Sequence, residues 1–179
     1  FAEIAAYEYD CEIVCLTLST EQADYARARI DQAGLADRVD IRLQDYRDTE
    51  GTFDHIVSIE MFEAVGEAYW PAYFGTLRDR LAPGGKAALQ VITIAEDAFD
   101  DYRNRPDFIQ RYIFPGGMLP SHRAIAEQAS NAGFELTDSF FFGDSYAETL
   151  RRWDRSFEAG WKTIETLGFD DRFFRMWRY

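Results

Sequence analysis

Apolar residues recur along the chain at two spacings, one typical of buried β-strands and the other of amphipathic helices. Compact apolar runs predict strands over residues 12–18, 39–43, 53–59, 86–94 and 135–142. Apolar residues three and four positions apart predict helices over residues 1–9, 19–33, 71–81, 121–133 and 146–164. This alternation predicts an α/β protein with a doubly wound, mostly parallel sheet.

The stretch from residue 53 to 94 contains the clearest candidate for chemistry. Ile56, Val57 and Ile59 form a compact run that predicts a strand buried on both faces. The acidic string E-M-F-E follows this run at residues 60–63. Because open α/β sheets bind ligands just beyond the carboxyl ends of their strands, its two carboxylates are candidates for a functional site.

Polar segments follow three of the predicted strands, at residues 17–22, 44–47 and 60–66. In a doubly wound sheet these strand ends converge on one crevice, so the segments are candidates to line a single nucleotide-like ligand. Each segment also has a purely structural explanation. Ser19 and Gln22 suit a helix cap, Asp45 suits a turn, and Glu63 suits a solvated loop.

A polar and aromatic segment at residues 95–120 interrupts the alternation of strands and helices. It is too aromatic to be disordered, so it predicts a long ordered insert or lid. Arg103, Arg105 and Arg111 lie among its aromatic residues and suit either a solvated loop or a substrate-facing surface. We expect residues 1–179 to form one partial domain, a piece of a longer protein.

The formal net charge of −13 disfavours nucleic acid as a partner, because nucleic acids attract basic proteins. No apolar run approaches the roughly 20 residues of a membrane-spanning helix, and no signal peptide is recognisable. Cys11 and Cys15 are expected to be buried free thiols on one face of a strand, which favours a reducing, cytoplasmic location. His55 and His122 lack metal-ligand spacing, and no G-x-S-x-G or phosphate-binding glycine motif occurs.

Four strings of residues resemble those of a known family. They are L-T-L-S-x-E-Q at residues 16–22, L-Q-D-Y-R-D at 43–48, F-D-x-I-V-S-I-E-M-F-E-x-V-G at 53–66 and Y-I-F-P-G-G-M-L-P-S at 112–121. With them, the chain resembles the cyclopropane-fatty-acyl-phospholipid synthases, a family that includes the mycolic acid cyclopropane synthases. The resemblance implies a Rossmann-like class I methyltransferase that uses S-adenosylmethionine.

The resemblance also implies a reaction. The cis double bond of an unsaturated phospholipid acyl chain takes the sulfonium methyl group, and a bound bicarbonate removes a proton as a cyclopropane ring closes. A dry apolar tunnel would protect the intermediate cation from water, and the aromatic residues over 99–177 suit such a tunnel. The implied location is the cytoplasm, in peripheral contact with the inner membrane surface, and the full-length protein is a candidate homodimer.

Carried over position by position, the resemblance assigns two groups of residues. The cofactor group comprises Thr17, Leu18, Ser19 and Gln22 on the ribose and methionine side, Gln44, Asp45 and Tyr46 on the adenine side, and Ile59. The catalytic group comprises Glu63, which would hold the bicarbonate, together with Gln90, Ile92 and Tyr146. A carboxylate beside bicarbonate would be repelled, so we expect a hydrogen bond with a shared proton between the two.

Two positions depart from the family pattern. Many members have histidine where this chain has Ala64 and Gln90, and an amide can donate a hydrogen bond but cannot titrate near neutral pH. The family's glycine-rich loop, its bicarbonate-binding cysteine and its first and last strands are expected outside residues 1–179. A fragment without the central first strand should be poorly stable and inactive alone, with weak or no cofactor binding. Two alternatives stay open: a related methyltransferase that leaves a methyl or methylene branch, and a non-catalytic remnant.

Overall fold

The computed structural model describes residues 1–179 and confirms the α/β class. Its strands are β1 Ile13–Thr17, β2 Val39–Leu43, β3 Phe53–Ile59 and β4 Leu81–Gln90. Its α-helices are α1 Ala2–Tyr9, α2 Thr20–Gln32, α3 Trp70–Arg80, α4 Phe99–Asn104, α5 His122–Asn131, α6 Gly143–Thr166 and α7 Asp171–Arg178. Tertiary contacts divide the chain into two compact units, Phe1–Leu136 and Thr137–Tyr179.

The strands form two separate parallel pairs, β1 with β2 and β3 with β4. Thr17 lies opposite Leu43 at the end of the first pair, and Ile59 lies opposite Gln90 at the end of the second. Parallel pairing brings the carboxyl ends of both strands of a pair to the same side. The segments that the sequence marks as candidates therefore follow the carboxyl ends of these pairs.

Helices α1 and α2 cover the first pair. Ala6, Ala23, Ile30 and Val39 form its buried core. The predicted cap of α2 is present, because the Ser19 hydroxyl accepts a hydrogen bond from the backbone N–H of Gln22 at 3.2 Å. The predicted amphipathic spacing of α2 thus places its apolar side chains against the strands.

Helix α3 covers the second pair and begins as predicted, with Pro71 in its first turn. Its buried side chains Trp70, Tyr73, Phe74 and Leu77 pack around Phe62, which lies in a single 3₁₀ turn after β3. Helix α5 packs against the same cluster through partly buried apolar side chains. This aromatic core holds the segment that follows β3.

Gly85 of β4 permits a close approach between the paired strands β3 and β4. A Cβ atom at this position would lie 2.4 Å from the Asp54 carbonyl oxygen and 3.0 Å from that of Ala82, both backbone atoms. We expect Gly85→Ala to lower the free energy of unfolding by roughly 2 kcal/mol or more, since the backbone must shift. The matched control is Gly75→Ala within α3, where a Cβ meets nothing within 4 Å. Urea unfolding should show the control to be neutral or up to about 1 kcal/mol more stable, and equal stability of both variants would contradict the prediction.

The predicted insert covers residues 95–120. It contains α4 and a π-helix at Ile109–Ile113. Its ends meet, because the Ile94 N–H donates to the Pro120 carbonyl oxygen at 3.0 Å. Arg103 forms an ion pair with Glu67 at 2.6 Å. The insert is therefore joined to the segment after β3, while its action as a lid stays a prediction.

The second unit contains α6 and α7, joined by aromatic contacts at the predicted helical spacing. The Phe174 ring lies 4.7 Å from that of Trp161 and 5.6 Å from that of Phe157. Arg178 of α7 pairs with Asp154 of α6 at 2.6 Å. None of the helices is both long enough and apolar enough to cross a bilayer.

The prediction of a strand over residues 135–142 is wrong. These residues are neither strand nor helix, and Phe140 and Phe141 are 80% and 67% exposed. The apolar pattern of the segment suits a strand, but a strand requires a neighbour for its backbone hydrogen bonds. No strand of this chain pairs with the segment.

Two further expectations about burial are wrong. Strand β3 is covered on one face only, where the Tyr73 hydroxyl donates to Ser58, whereas Val57 and Ile59 are 43% and 46% exposed. These two side chains therefore lie on a face of β3 that is open to solvent. Cys11 is exposed and precedes β1, and Cys15 is half-buried, so the two cysteines do not form a buried pair on one strand.

Candidate functional site

Glu63 is held on both its backbone and its side chain by segments distant in sequence. One carboxylate oxygen accepts a hydrogen bond from the Ile92 backbone N–H at 2.6 Å. The Glu63 carbonyl oxygen accepts from the Met118 N–H at 2.8 Å, which joins the insert to this loop. The second carboxylate oxygen is shielded from solvent and has no hydrogen-bond partner. A buried acceptor without a partner is costly in a folded protein, so this oxygen is a candidate for contact with a ligand.

Burial raises the pKa of Glu63, because a charged carboxylate loses hydration there. The hydrogen bond from the Ile92 N–H opposes this rise in pKa by stabilising the charged form. The negative charge of Glu60 raises the Glu63 pKa further. Glu63 thus holds its proton to a higher pH than an ordinary glutamate does. That behaviour agrees with the expected shared proton, although the bicarbonate itself stays a prediction.

The raised pKa of Glu63 predicts a dependence of stability on pH. Below about pH 4 the Glu63 carboxyl is protonated in both the folded and the unfolded chain. Its burial then adds no cost of burying a charge to the folded state. As pH rises through the folded-state pKa, the wild type loses stability that Glu63→Gln retains. We therefore expect the variant to have the larger free energy of unfolding at pH 8 and an equal one at pH 4, measured by urea unfolding of the complete protein. Glu135→Gln, at an exposed position, controls for the loss of one carboxylate, and a variant less stable than wild type at pH 8 would contradict the account.

Glu60 was a candidate as one of the two acids of E-M-F-E, but the resemblance assigned it no role. It adopts a left-handed backbone conformation with φ of +50°, which is uncommon outside glycine and often marks functional sites. Its backbone N–H donates to the Gln90 carbonyl oxygen at 2.9 Å, and its carboxylate accepts from the Gln90 side-chain amide at 2.9 Å. Its position as the first acid of E-M-F-E was the available signal, whereas its partner Gln90 could be found only in three dimensions.

The end of β1 forms a compact polar network. The Thr17 hydroxyl donates to the Gln22 side-chain oxygen at 2.7 Å and accepts from the Ser19 backbone N–H at 3.2 Å. A capping box would require the Gln22 side chain to accept from the backbone N–H of Ser19. Gln22 bonds to the Thr17 hydroxyl instead. Leu18 is 74% exposed beside this network.

The end of β2 adjoins that network. The Gln44 N–H donates to the Thr17 carbonyl oxygen at 3.0 Å. Hydrogen bonds from the Arg47 side chain and backbone lower the pKa of Asp45 to about 2, so Asp45 is ionised at neutral pH. The Tyr46 ring lies 5.6 Å from that of Tyr73, and burial raises the Tyr46 pKa. Tyr46 thereby connects the first strand pair to the aromatic core of the second.

The assigned residues thus fall into two groups and one outlier. The cofactor residues Thr17, Ser19, Gln22 and Gln44 are joined through the first strand pair, and Glu63, Gln90 and Ile92 are joined through the second. Ile59 is opposite Gln90 and is partly exposed. Tyr146 belongs to the second unit, where its ring lies 6.3 Å from that of Trp153, and its catalytic role stays a prediction.

The cofactor residues fit S-adenosylmethionine in their chemistry. Hydroxyl, amide and carboxylate groups of Thr17, Gln22 and Asp45 could bond to the polar parts of the cofactor. The exposed apolar side chains Leu18 and Ile59 offer surface to a flat ring. The assignments stay predictions, and the types of side chain at these strand ends are compatible with them.

The fit to bicarbonate is poorer. Among the residues expected around it, Gln90 donates one amide N–H to Glu60, and the Ile92 backbone N–H donates to Glu63. Bicarbonate would also lie beside the acidic side chains of Glu60 and Glu63, and the repulsion between negative charges disfavours its binding. We therefore assign no step of the reaction to bicarbonate.

Comparisons with known proteins agree with this architecture. The family model of mycolic acid cyclopropane synthetase matches residues 1–179. The chain is 43% identical over 175 residues to the tuberculostearic acid methyltransferase of Mycobacterium tuberculosis. The aligned region covers 97% of this chain and 41% of that relative. It is 40% identical over 178 residues to the cyclopropane-fatty-acyl-phospholipid synthase of Escherichia coli K12, covering 99% of this chain and 44% of that relative. The chain thus spans less than half the length of these curated relatives.

Solved structures support the class I methyltransferase fold. The crystal structure of the mycolic acid cyclopropane synthase CmaA1 complexed with SAH and CTAB superposes with a TM-score of 0.86 at 26% identity, covering 98% of this chain and 64% of that one. The cyclopropane synthase MmaA2 of M. tuberculosis gives 0.84 at 24% identity, covering 97% of this chain and 64% of its own. From the match of the family model to residues 1–179, the chain belongs to the mycolic acid cyclopropane synthetase family.

Proposed function

We propose that this chain is part of an S-adenosylmethionine-dependent methyltransferase that acts on the double bond of an unsaturated phospholipid acyl chain. The observation that supports the proposal most is the placement of Glu63. This acid lies after the carboxyl end of β3, bonded to Ile92 and Met118, with one carboxylate oxygen buried and unpartnered. Family membership and the names of the relatives point to the same chemistry.

The proposed roles of the residues follow from their positions. When bound, S-adenosylmethionine supplies an electrophilic methyl group. Thr17, Ser19 and Gln22 would hold its methionine and ribose side, and Gln44 and Asp45 its adenine side. The lipid double bond would donate its electron pair to the methyl carbon, which leaves a carbocation on the acyl chain. Acidic side chains near Glu63 favour that positive charge over neutral lipid, because their field is stronger in a site with little water.

The proposed product is a cyclopropane ring, formed when the transferred carbon loses a proton. A methyl or methylene branch is the second candidate, and two observations favour it. One relative is named a tuberculostearic acid methyltransferase. In addition, Gln90 has an amide where many members have histidine, and that amide bonds to Glu60. We also propose that the protein meets its lipid at the membrane surface without spanning the bilayer.

The test uses the complete protein, S-adenosylmethionine and vesicles of phospholipid with monounsaturated acyl chains. We expect release of S-adenosylhomocysteine and acyl chains heavier by one CH₂ unit, detected by mass spectrometry. Catalytic hydrogenation of the extracted chains then distinguishes a methylene or methyl-branched alkene, which takes up hydrogen readily, from a cyclopropane. Vesicles of saturated phospholipid are the control. Equal turnover on both vesicles, or none on either, would contradict the proposed function.

A further inference from the structure

Two donors that follow or end strand β4 bond to carboxylates of this chain. The Ile92 backbone N–H donates to the Glu63 carboxylate at 2.6 Å, and the Gln90 side-chain amide donates to the Glu60 carboxylate at 2.9 Å. Glu60 is also fixed by its backbone, whose N–H bonds to the Gln90 carbonyl oxygen at 2.9 Å. These contacts place the Glu60 carboxylate where the resemblance would place the bound anion, on the Gln90 side chain.

The backbone of Glu60 supports a functional explanation of this contact. Its φ of +50° is a conformation that glycine adopts without strain and glutamate does not. The chain thus retains a carboxylate at a position where its backbone is disfavoured. Disfavoured conformations of this kind concentrate at functional sites.

We propose that the Glu60 carboxylate is the proton acceptor of the reaction, a base built into the chain in place of bicarbonate. The proposal rests on the proposed function, which supplies the cation. In the step, the C–H bond of the transferred carbon breaks and its electron pair forms the ring bond to the cationic carbon. The proton moves to a Glu60 carboxylate oxygen and later leaves to solvent, so atoms and electrons balance. For a methylene branch, a hydride shift along the chain precedes loss of the same proton, and the electron pair forms a double bond.

Glu60 and Glu63 then have different roles because their surroundings differ. Glu63 is half-buried, and its pKa is raised by that burial and by the charge of Glu60. Tyr73 of α3 is the other titratable neighbour, and its own pKa, raised to about 12 chiefly by burial, keeps it neutral. The groups that bond to Glu63 from the strand β4 side and from the insert, at Ile92 and Met118, are backbone amides. One Glu63 oxygen already accepts the Ile92 N–H and the other is shielded from solvent, so we assign the base to Glu60.

The first experiment measures turnover of the complete wild-type protein in degassed buffer, with bicarbonate removed and then restored. We expect the rate to change by less than twofold, because the base belongs to the chain. A rise of fivefold or more on adding bicarbonate would overturn the proposal, while turnover itself would still support the proposed function. Absence of any turnover with bicarbonate present would contradict the proposed function, and with it the proposal about Glu60.

The second experiment uses Glu60→Gly, which removes the carboxylate and suits the left-handed backbone, so the variant is expected to fold. Without bicarbonate we expect at least a 100-fold lower rate and unchanged binding of S-adenosylmethionine by calorimetry. Added bicarbonate or formate should raise the turnover rate of the variant at least tenfold, because the anion can enter the space that the carboxylate leaves. Glu67→Gln, on the same loop but paired with Arg103 at the surface, is the matched control and should stay within twofold of wild type. Full turnover of Glu60→Gly without bicarbonate, or loss of turnover together with cofactor binding, would overturn the proposal.

Discussion

Phe62→Ala is expected to lower the free energy of unfolding by about 3–5 kcal/mol, the cost typical of removing a fully buried aromatic ring. Phe62 is 0% exposed, and its ring lies 5.2 Å from that of Trp70 and 4.9 Å from that of Tyr73. The truncation would leave a cavity between α3 and the segment after β3. Since a protein of this kind has roughly 5–15 kcal/mol in total, the loss is a large part of it.

Urea unfolding of the complete protein measures this loss, with Phe114→Ala as the control. Phe114 is 63% exposed, so the same change of side chain should cost less than about 0.5 kcal/mol there. Because Phe62 directly precedes Glu63, we also expect Phe62→Ala to reduce turnover below the melting temperature. A loss of stability equal to that of Phe114→Ala would show that the aromatic core does not hold the loop.

Glu63→Gln is expected to lower turnover by roughly 10²–10³-fold, the range typical of removing one group that stabilises charge in the transition state. Glutamine retains the size of the side chain and can still accept the Ile92 hydrogen bond, so the loop should keep its position. The neutral amide, however, cannot supply the negative charge that favours the cationic intermediate. The effect should therefore be on kcat, with little change in the affinity for S-adenosylmethionine.

Single-turnover measurement of methyl transfer, together with calorimetry of cofactor binding, separates these two effects. Glu67→Gln is again the matched control, four residues further along the same loop, and should retain wild-type rates. Unchanged turnover in Glu63→Gln would favour the non-catalytic alternative for this loop. A loss of cofactor binding equal to the loss of turnover would assign Glu63 a binding role.

Much of the fold was predictable, because it depends on local patterns. The cap at Ser19, the proline at the start of α3 and the helical spacing of α6 all follow from short-range rules, and the structure confirms each. The strand predicted over residues 135–142 failed for the opposite reason. Its pattern was suitable, but a strand also needs a partner strand, which a local pattern does not specify.

The site divides in the same way. The acidic string after β3 and the polar ends of β1 and β2 were predictable, because parallel strands place functional residues at their carboxyl ends. The Glu60–Gln90 contact was not, since it joins residues 30 positions apart and requires the register of β3 against β4. The shielding of one Glu63 oxygen depends on tertiary packing, including the insert that bonds to Glu63 through Met118.

In the proposed function, a methyl carbon passes from the cofactor to the lipid and then loses one hydrogen within this site. The most direct measurement supplies the complete protein with S-adenosylmethionine bearing a CD₃ group and with monounsaturated phospholipid. We predict acyl chains that retain two deuterium atoms on the added carbon, and we predict that Glu63→Gln forms them at least 100-fold more slowly. Unlabelled acyl chains, or labelled chains formed equally by Glu63→Gln, would contradict the account.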